Sequence, residues 1–183
     1  KRAVFSERQI FTNWQQIPRA EFPECDYVIY GLDFGFSQDP TAIVEVSKVG
    51  DKLYVHEVCY RKGMTNRDIA LFLKEKKINT NLIYCDAAEP KSIMELRQMD
   101  VAAKEATKGQ GSVSAGISLL KEFDVIISSE SENLKKEQQF YFWEQRKDET
   151  IINVPIDKHN HLMDALRYAV YSRYKKRNDF YVV

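Results

Sequence analysis

The chain has 183 residues, and its 27 Lys+Arg balance 27 Asp+Glu, for a formal net charge of zero. With 44% hydrophobic and 30% charged residues it can bury a core, which excludes a disordered tail, and the length suits one domain. No apolar run approaches the roughly 18 residues of a membrane span, and the zero charge taken alone argues against a nucleic-acid partner.

Residues 1–24 hold neither a strand nor a helix period, are punctuated by Pro18 and Pro23, and lack the apolar stretch of a secretion signal. They read as a linker or packing arm ahead of a folded unit over 25–183. YVIYGLDF is a nearly continuous apolar run, as expected of a central strand buried on both faces. TAIVEVSKV and KLYVHEVCY follow, joined by Gly50-Asp51, so the unit opens as an antiparallel meander. Thr65 to Asp68 forms a capping box for a helix that presents Ile69, Phe72 and Leu73 on one face. NLIYCDA is a short buried strand, and Pro90 opens a helix at its preferred first position. VAAKEAT reads as a strand, GSVSAGISLLKEF as a helix and DVIISS as another strand. QQFYFWEQRKDETIINVPI reads as a second hairpin turning near Asp148, a candidate gate over the site. Its aromatic run Phe140 to Trp143 reads as a core-covering strand, with base stacking as the lesser alternative. HLMDALRYAVYSRYKKR closes the series as a helix with Leu162, Ala165, Leu166, Ala169 and Val170 on one stripe. The fold class is α/β: a mixed central sheet, meander plus parallel strands, flanked by helices.

Five of the seven glycines fall in GLDFGF and KGQGSVSAG, which marks these segments for tight turns or close backbone approach. Cys25, Cys59 and Cys85 are odd in number and far apart, which fits reduced thiols in an intracellular protein better than a disulfide or metal framework.

A buried acid is expensive unless it is paired or metal-bound, so acids inside apolar elements are informative. Asp33 ends the first strand of the meander and Asp86 ends NLIYCDA, both where ligands gather in sheets with parallel strands. Asp164 lies between Met163 and Ala165 on the last helix, in one stripe with His161 and Tyr168. Asp33 or Asp86 alone reads equally well as a turn acid that caps backbone N–H groups. Together, the three acids form a hard oxygen site suited to Mg²⁺ or Mn²⁺. His161 is a metal ligand, a proton shuttle or an orienter of water; the alternative is a helix-start residue bonding its own first turn.

GLDFGFSQDPTAIV, CDAAEPKSIMELR, KGQGSVSAGISLL and HNHLMDALRYAV, in this order, resemble the C-terminal nuclease domain of tailed-bacteriophage terminase large subunits, a ribonuclease H-like fold. The resemblance runs from about Tyr27 to about Arg173. It implies a DNA endonuclease of genome packaging in the bacterial cytoplasm, with Asp33, Asp86 and Asp164 as the metal triad and His161 beside the third acid. It further implies two ions with Asp33 between them, and double-stranded DNA, a small terminase subunit and a portal as partners. FTNWQQIP resembles the segment that joins the family's ATPase motor to its nuclease. No GxxxxGK[ST] occurs, and GSVSAG continues with Ile117 where a phosphate-binding lysine would stand, so no motor activity is expected of this chain.

Lys91, Lys108 and Ser112 are candidate DNA contacts; Glu89 is as easily a helix-start acid as a ligand, and Asp39 reads as a turn residue before Pro40. Two rival readings are an actin-like or sugar-kinase-like phosphotransferase fragment and a non-catalytic docking module. Bound ions would reverse the local field, and lysines at 74, 76, 77, 91, 104 and 108 with the Arg173–Arg177 cluster leave room for a basic lane. The neutral total is then compatible with weak, metal-dependent DNA binding.

Overall fold

β-Branched and aromatic residues draw the opening strands into extended chain. The computed structural model describes residues 7–175. In it β1 (Gln15–Ile17) and a 3-10 turn (Arg19–Glu21) precede the meander of β2 (Val28–Asp33), β3 (Thr41–Val49) and β4 (Lys52–Arg61). Helix α1 (Asn66–Glu75), strand β5 (Ile83–Cys85), helix α2 (Pro90–Gln98), strand β6 (Ala103–Glu105), helix α3 (Ser112–Leu120) and strand β7 (Asp124–Ser128) then alternate. Helix α4 (Glu132–Phe140), a hairpin of β8 (Trp143–Gln145) and β9 (Ile151–Pro155), and helix α5 (His161–Tyr174) complete the described chain.

Seven strands form one sheet in the order β1-β7-β4-β3-β2-β5-β6, antiparallel through β2, β3 and β4 and parallel elsewhere. The expected mixed sheet is therefore present. Thr65 caps α1 with both bonds of the capping box, and Pro90 begins α2. The arm before the meander packs too: Ile10 and Phe11 are buried, and β1 lies parallel to β7 at the sheet edge.

Alternation along β2 divides the core between two faces. Ile29 joins Leu162, Ala165 and Leu166 of α5 on one face, whereas Tyr30 and Leu32 join Ile69 and Leu73 of α1 and Ile93 and Leu96 of α2 on the other. Leu162, Ala165, Leu166, Ala169 and Val170 are all fully buried. Burial of each of the larger ones contributes about 1.5–3 kcal/mol. Gly31 sits where α5 crosses β2, and a Cβ there would lie 1.8 Å from the Ala165 carbonyl oxygen.

One expectation changes. Phe140 to Trp143 is not one core strand: Phe140 ends α4 and is 66% exposed, Tyr141 is buried, and only Trp143 enters β8. Helix α4 itself carries one buried aliphatic, Leu134, and its weak apolar period hides it in the sequence. What holds its start is Glu57 of β4, whose carboxylate accepts from the backbone N–H groups of Asn133 and Leu134 at 2.9 and 3.0 Å. The hairpin does turn near Asp148, whose Oδ1 accepts from Thr150 N at 3.1 Å. Lys176 and Arg177 of the terminal basic cluster lie outside the described residues.

Gly31→Ala would push backbone against backbone, with no side chain able to yield. The expected loss is about 3 kcal/mol, a fall in Tm of roughly 6–12 °C. An unchanged melting curve would contradict the close seating of α5.

Candidate metal centre

Strand parity and register bring the first two acids together. Asp33 continues the α5 face of β2 after Ile29 and Gly31, and Asp86 follows Tyr84, which also faces α5. Leu32 pairs with Cys85 in the parallel β2–β5 register, so the next residue of each strand is an aspartate at the same edge. Helix α5 lays Asp164 over this edge, one residue from the Ala165 carbonyl that meets Gly31. All three carboxylates raise the proton affinity of the Tyr168 hydroxyl, after burial itself, so the three converge on one tyrosine.

Each acid is held by a basic or N–H partner. Asp33 Oδ2 lies 3.0 Å from His161 Nδ1, and the other ring nitrogen, Nε2, lies 3.4 Å from Asp39 Oδ1. Asp164 Oδ1 accepts from Arg167 at 2.9 Å, with Asn160 Nδ2 3.3 Å from Oδ2. Asp86 Oδ1 accepts from Ala88 N at 2.9 Å and lies 3.6 Å from Lys108 Nζ. Among the described residues, no three His, Cys, Asp or Glu side chains stand as a ready cage for an ion.

Burial pushes the Asp33 carboxyl up to about 6, with Asp164 and Asp86 adding to the rise against the lowering bond from His161. Asp164 is also raised by burial, against the lowering pull of Arg167. His161 is raised above its ordinary value chiefly by its bond to Asp33. With a carboxylate at each ring nitrogen, this imidazole is built to carry a second proton.

The structure places the other expected residues unevenly. Lys108 reaches Asp86 and, with Ser112, Arg167 and Tyr168, lines a cavity of about 180 Å³ beside it. Gly111 holds the N-cap position of α3, with no side-chain cap from Ser112 or Ser114. Lys91 is exposed on α2, and Glu89 is the residue before that helix, its Oε2 accepting from Ser92 at 3.4 Å. Asp39 is 65% exposed yet faces His161, a closer relation than a turn residue implies.

Two participants escaped sequence reasoning. Arg167 lies three residues after Asp164 on the same helix, a spacing that offered a signal; its stem fills the room left at Gly116, where a Cβ would come within 2.6 Å of Cγ. Glu137 of α4 is buried, and its Oε2 accepts from the backbone N–H groups of Leu162 and Met163 at 2.7 and 3.0 Å. It therefore caps the start of α5 from another helix, and burial pushes its carboxyl up to about 7. Nothing in the local sequence signals that cap.

A meander-opened mixed sheet with acids at the ends of β2 and β5, and a late helix carrying a third, defines the ribonuclease H-like class. The chain belongs to the Terminase RNAseH like domain family, which it matches over residues 33–172, and is the nuclease domain of a terminase large subunit. It is 30% identical to the terminase large subunit of Bacillus phage SPP1 over 166 residues, 87% of this chain and 39% of that protein. Against the PBSX phage terminase large subunit of Bacillus subtilis strain 168, identity is 28% over 88% of this chain and 40% of the relative. The chain thus spans about two fifths of the length of these curated relatives. The crystal structure of the SPP1 large terminase nuclease domain with bound Mn superposes with a TM-score of 0.79 at 29% identity, covering 89% of this chain and 97% of that one.

The raised acid has a consequence for stability. Above pH 6 Asp33 is ionised in folded and unfolded chain alike, and the folded state bears its desolvation and the repulsion of its neighbours. As pH falls through about 6, the folded state takes up the proton first and gains stability, until the unfolded chain is protonated near its ordinary value of 3.8. His161 acts in the same direction, because its raised proton affinity in the fold, owed to Asp33, contributes only toward lower pH. Asp33→Asn should therefore stabilise the metal-free domain at pH 7.5, by up to about 3 kcal/mol. The gain should vanish toward pH 4. Urea unfolding in EDTA at both pH values measures it, and a loss at pH 7.5 would contradict the strain assigned to Asp33.

Proposed function

We propose that this domain is a divalent-metal-dependent endonuclease that hydrolyses phosphodiester bonds of concatemeric viral DNA during packaging. The observation that carries the reading is the convergence of Asp33, Asp86 and Asp164 from two strand ends and one helix. Family membership and a Mn-bound relative of the same domain support it.

The donor set fits hard cations. Three carboxylates supply only oxygen, and Asp33 is raised by burial first, with repulsion from Asp164 and Asp86 added to it. Asp33, Asp86 and Asp164 would hold the ions, two in number, in exchange for the partners that now hold them. Bound Mg²⁺ or Mn²⁺ supplies positive charge and Lewis acidity beside the scissile phosphate.

The chain's own residues do the rest. His161 meets Asp33 through Nδ1 and Asp39 through Nε2, and its raised proton affinity suits it to take a proton from the attacking water and pass it on. Arg167 pulls the Asp164 carboxyl down against the burial that raises it, and Glu137 fixes the first turn that carries His161. Lys108, beside Asp86, is the candidate contact to a DNA phosphate, with Ser112 at the start of α3 near it. Lys91 lies exposed at the start of α2 and is the more peripheral candidate.

Residues 1–24 are assigned to the junction with an ATPase motor domain, since the matched relatives are more than twice as long. Small terminase subunit and portal are the proposed further partners, and the host cytoplasm the proposed place of action. No helix among the described residues is long and apolar enough to cross a membrane.

Supercoiled plasmid incubated with the domain and Mn²⁺ or Mg²⁺ should be nicked, and excess EDTA should stop the reaction. Asp33→Asn and Asp164→Asn should each lower the rate at least about 100-fold, since losing even an outer-shell partner costs 10–100-fold. Nicking that survives both substitutions would remove the triad, and an inactive wild-type domain that binds no Mn²⁺ would favour the docking role.

A further inference from the structure

A second cavity, of about 440 Å³, opens between α4, β4 and the loop before α5. Its walls are Tyr60, Phe140, Phe142 and Ile156, and Lys136 and Lys158 stand on its lining. Phe140 and Phe142 meet edge to face at 6.3 Å and 81°, and Phe140 exposes 66% of its surface. Among the described residues neither lysine enters an ion pair, and both are exposed.

The cavity borders the candidate metal centre. His159 lines it two residues before His161, and Glu137, whose other face caps α5, also lines it. His159 holds a backbone φ of 50°, a left-handed conformation that is uncommon for a residue with a side chain.

We propose that this cavity receives one unstacked nucleotide of the DNA substrate, its base on the exposed Phe140 ring, which Phe142 backs edge-on beneath Arg8, and its phosphate on Lys136 and Lys158. The proposal rests on the DNA reading of the neighbouring centre and adds to it a preference for locally unpaired DNA. A base inside a duplex has both faces covered by neighbours, so an aromatic platform in a cavity serves only a base that has left the stack. The volume lies within the roughly 300–1,000 Å³ of small-ligand sites and is too small for a duplex. The paired lysines set this occupant apart from an apolar peptide segment, which would bury or crowd two ammonium groups without compensation.

The test compares two fluorescent duplexes, one fully paired and one with a single bulged 2-aminopurine, bound to the wild-type domain in Ca²⁺. The bulged duplex should bind about tenfold tighter, with its fluorescence quenched by stacking. Phe140→Ala should abolish both the preference and the quenching, while its melting temperature stays that of the wild type. Lys158→Ala should flatten the dependence of log K on log salt by roughly 0.7. Equal binding of the two duplexes, absence of binding, or a preference that survives Phe140→Ala overturns the nucleotide pocket; tight capture of an apolar peptide in its place identifies a protein-docking site. Plasmid nicking by the wild-type domain from the same preparation judges the DNA reading of the centre separately.

Discussion

Backbone contact between Gly31 of β2 and the Ala165 carbonyl of α5 is the constraint on which the rest depends. A side chain at position 31 would lift the helix off the sheet. With hydrogen there, α5 beds directly on β2, and Asp164 comes over the strand ends where Asp33 and Asp86 emerge. The small Ala165 and Ala169, both fully buried, belong to the same fit. The fully buried Leu162, Leu166 and Val170 supply the attraction that keeps the helix down.

Three acids under one helix repel each other, and the fold answers with basic partners from different elements. His161 comes from the first turn of α5, Arg167 from the next, and Lys108 from the loop before α3. Arg167 in turn needs Gly116, so one glycine of the second glycine-rich segment serves the centre by leaving room for that side chain. A zero net charge is then no guide to the partner of this surface. The sum counts acids that are already answered inside the protein, and leaves out how the outer lysines are arranged.

Features with a local cause were legible. The meander follows from β-branched alternation and Gly50-Asp51, α1 from its capping box, α2 from Pro90, and α5 from five apolar residues on one stripe. Asp33, Asp86 and Asp164 stood out because each interrupts or ends an apolar element. Helix α4 did not, because its anchors are polar and distant: Glu57 at its start, and Gln138 reaching the Phe11 carbonyl at 2.6 Å. The partners of the acids were likewise hidden. The i, i+3 spacing of Asp164 and Arg167 was the one local signal, whereas nothing along the chain tells Asp39 to turn toward His161 until the sheet and α5 have met. The aromatic run misled for a related reason, since the helix before it carries Phe140 outward.

The distance along the chain between Asp33 and Asp164 gives the centre a place in time. The meander and its first helices can form from neighbouring residues, whereas the three acids meet only through contacts across well over a hundred positions, which carry the larger loop-closure cost. A nascent chain that has emerged only as far as α4 owns two of the three acids and lacks the helix that aligns them. The three acids therefore come under one helix only with the docking of α5 onto Gly31, the last described helix of the chain to be made.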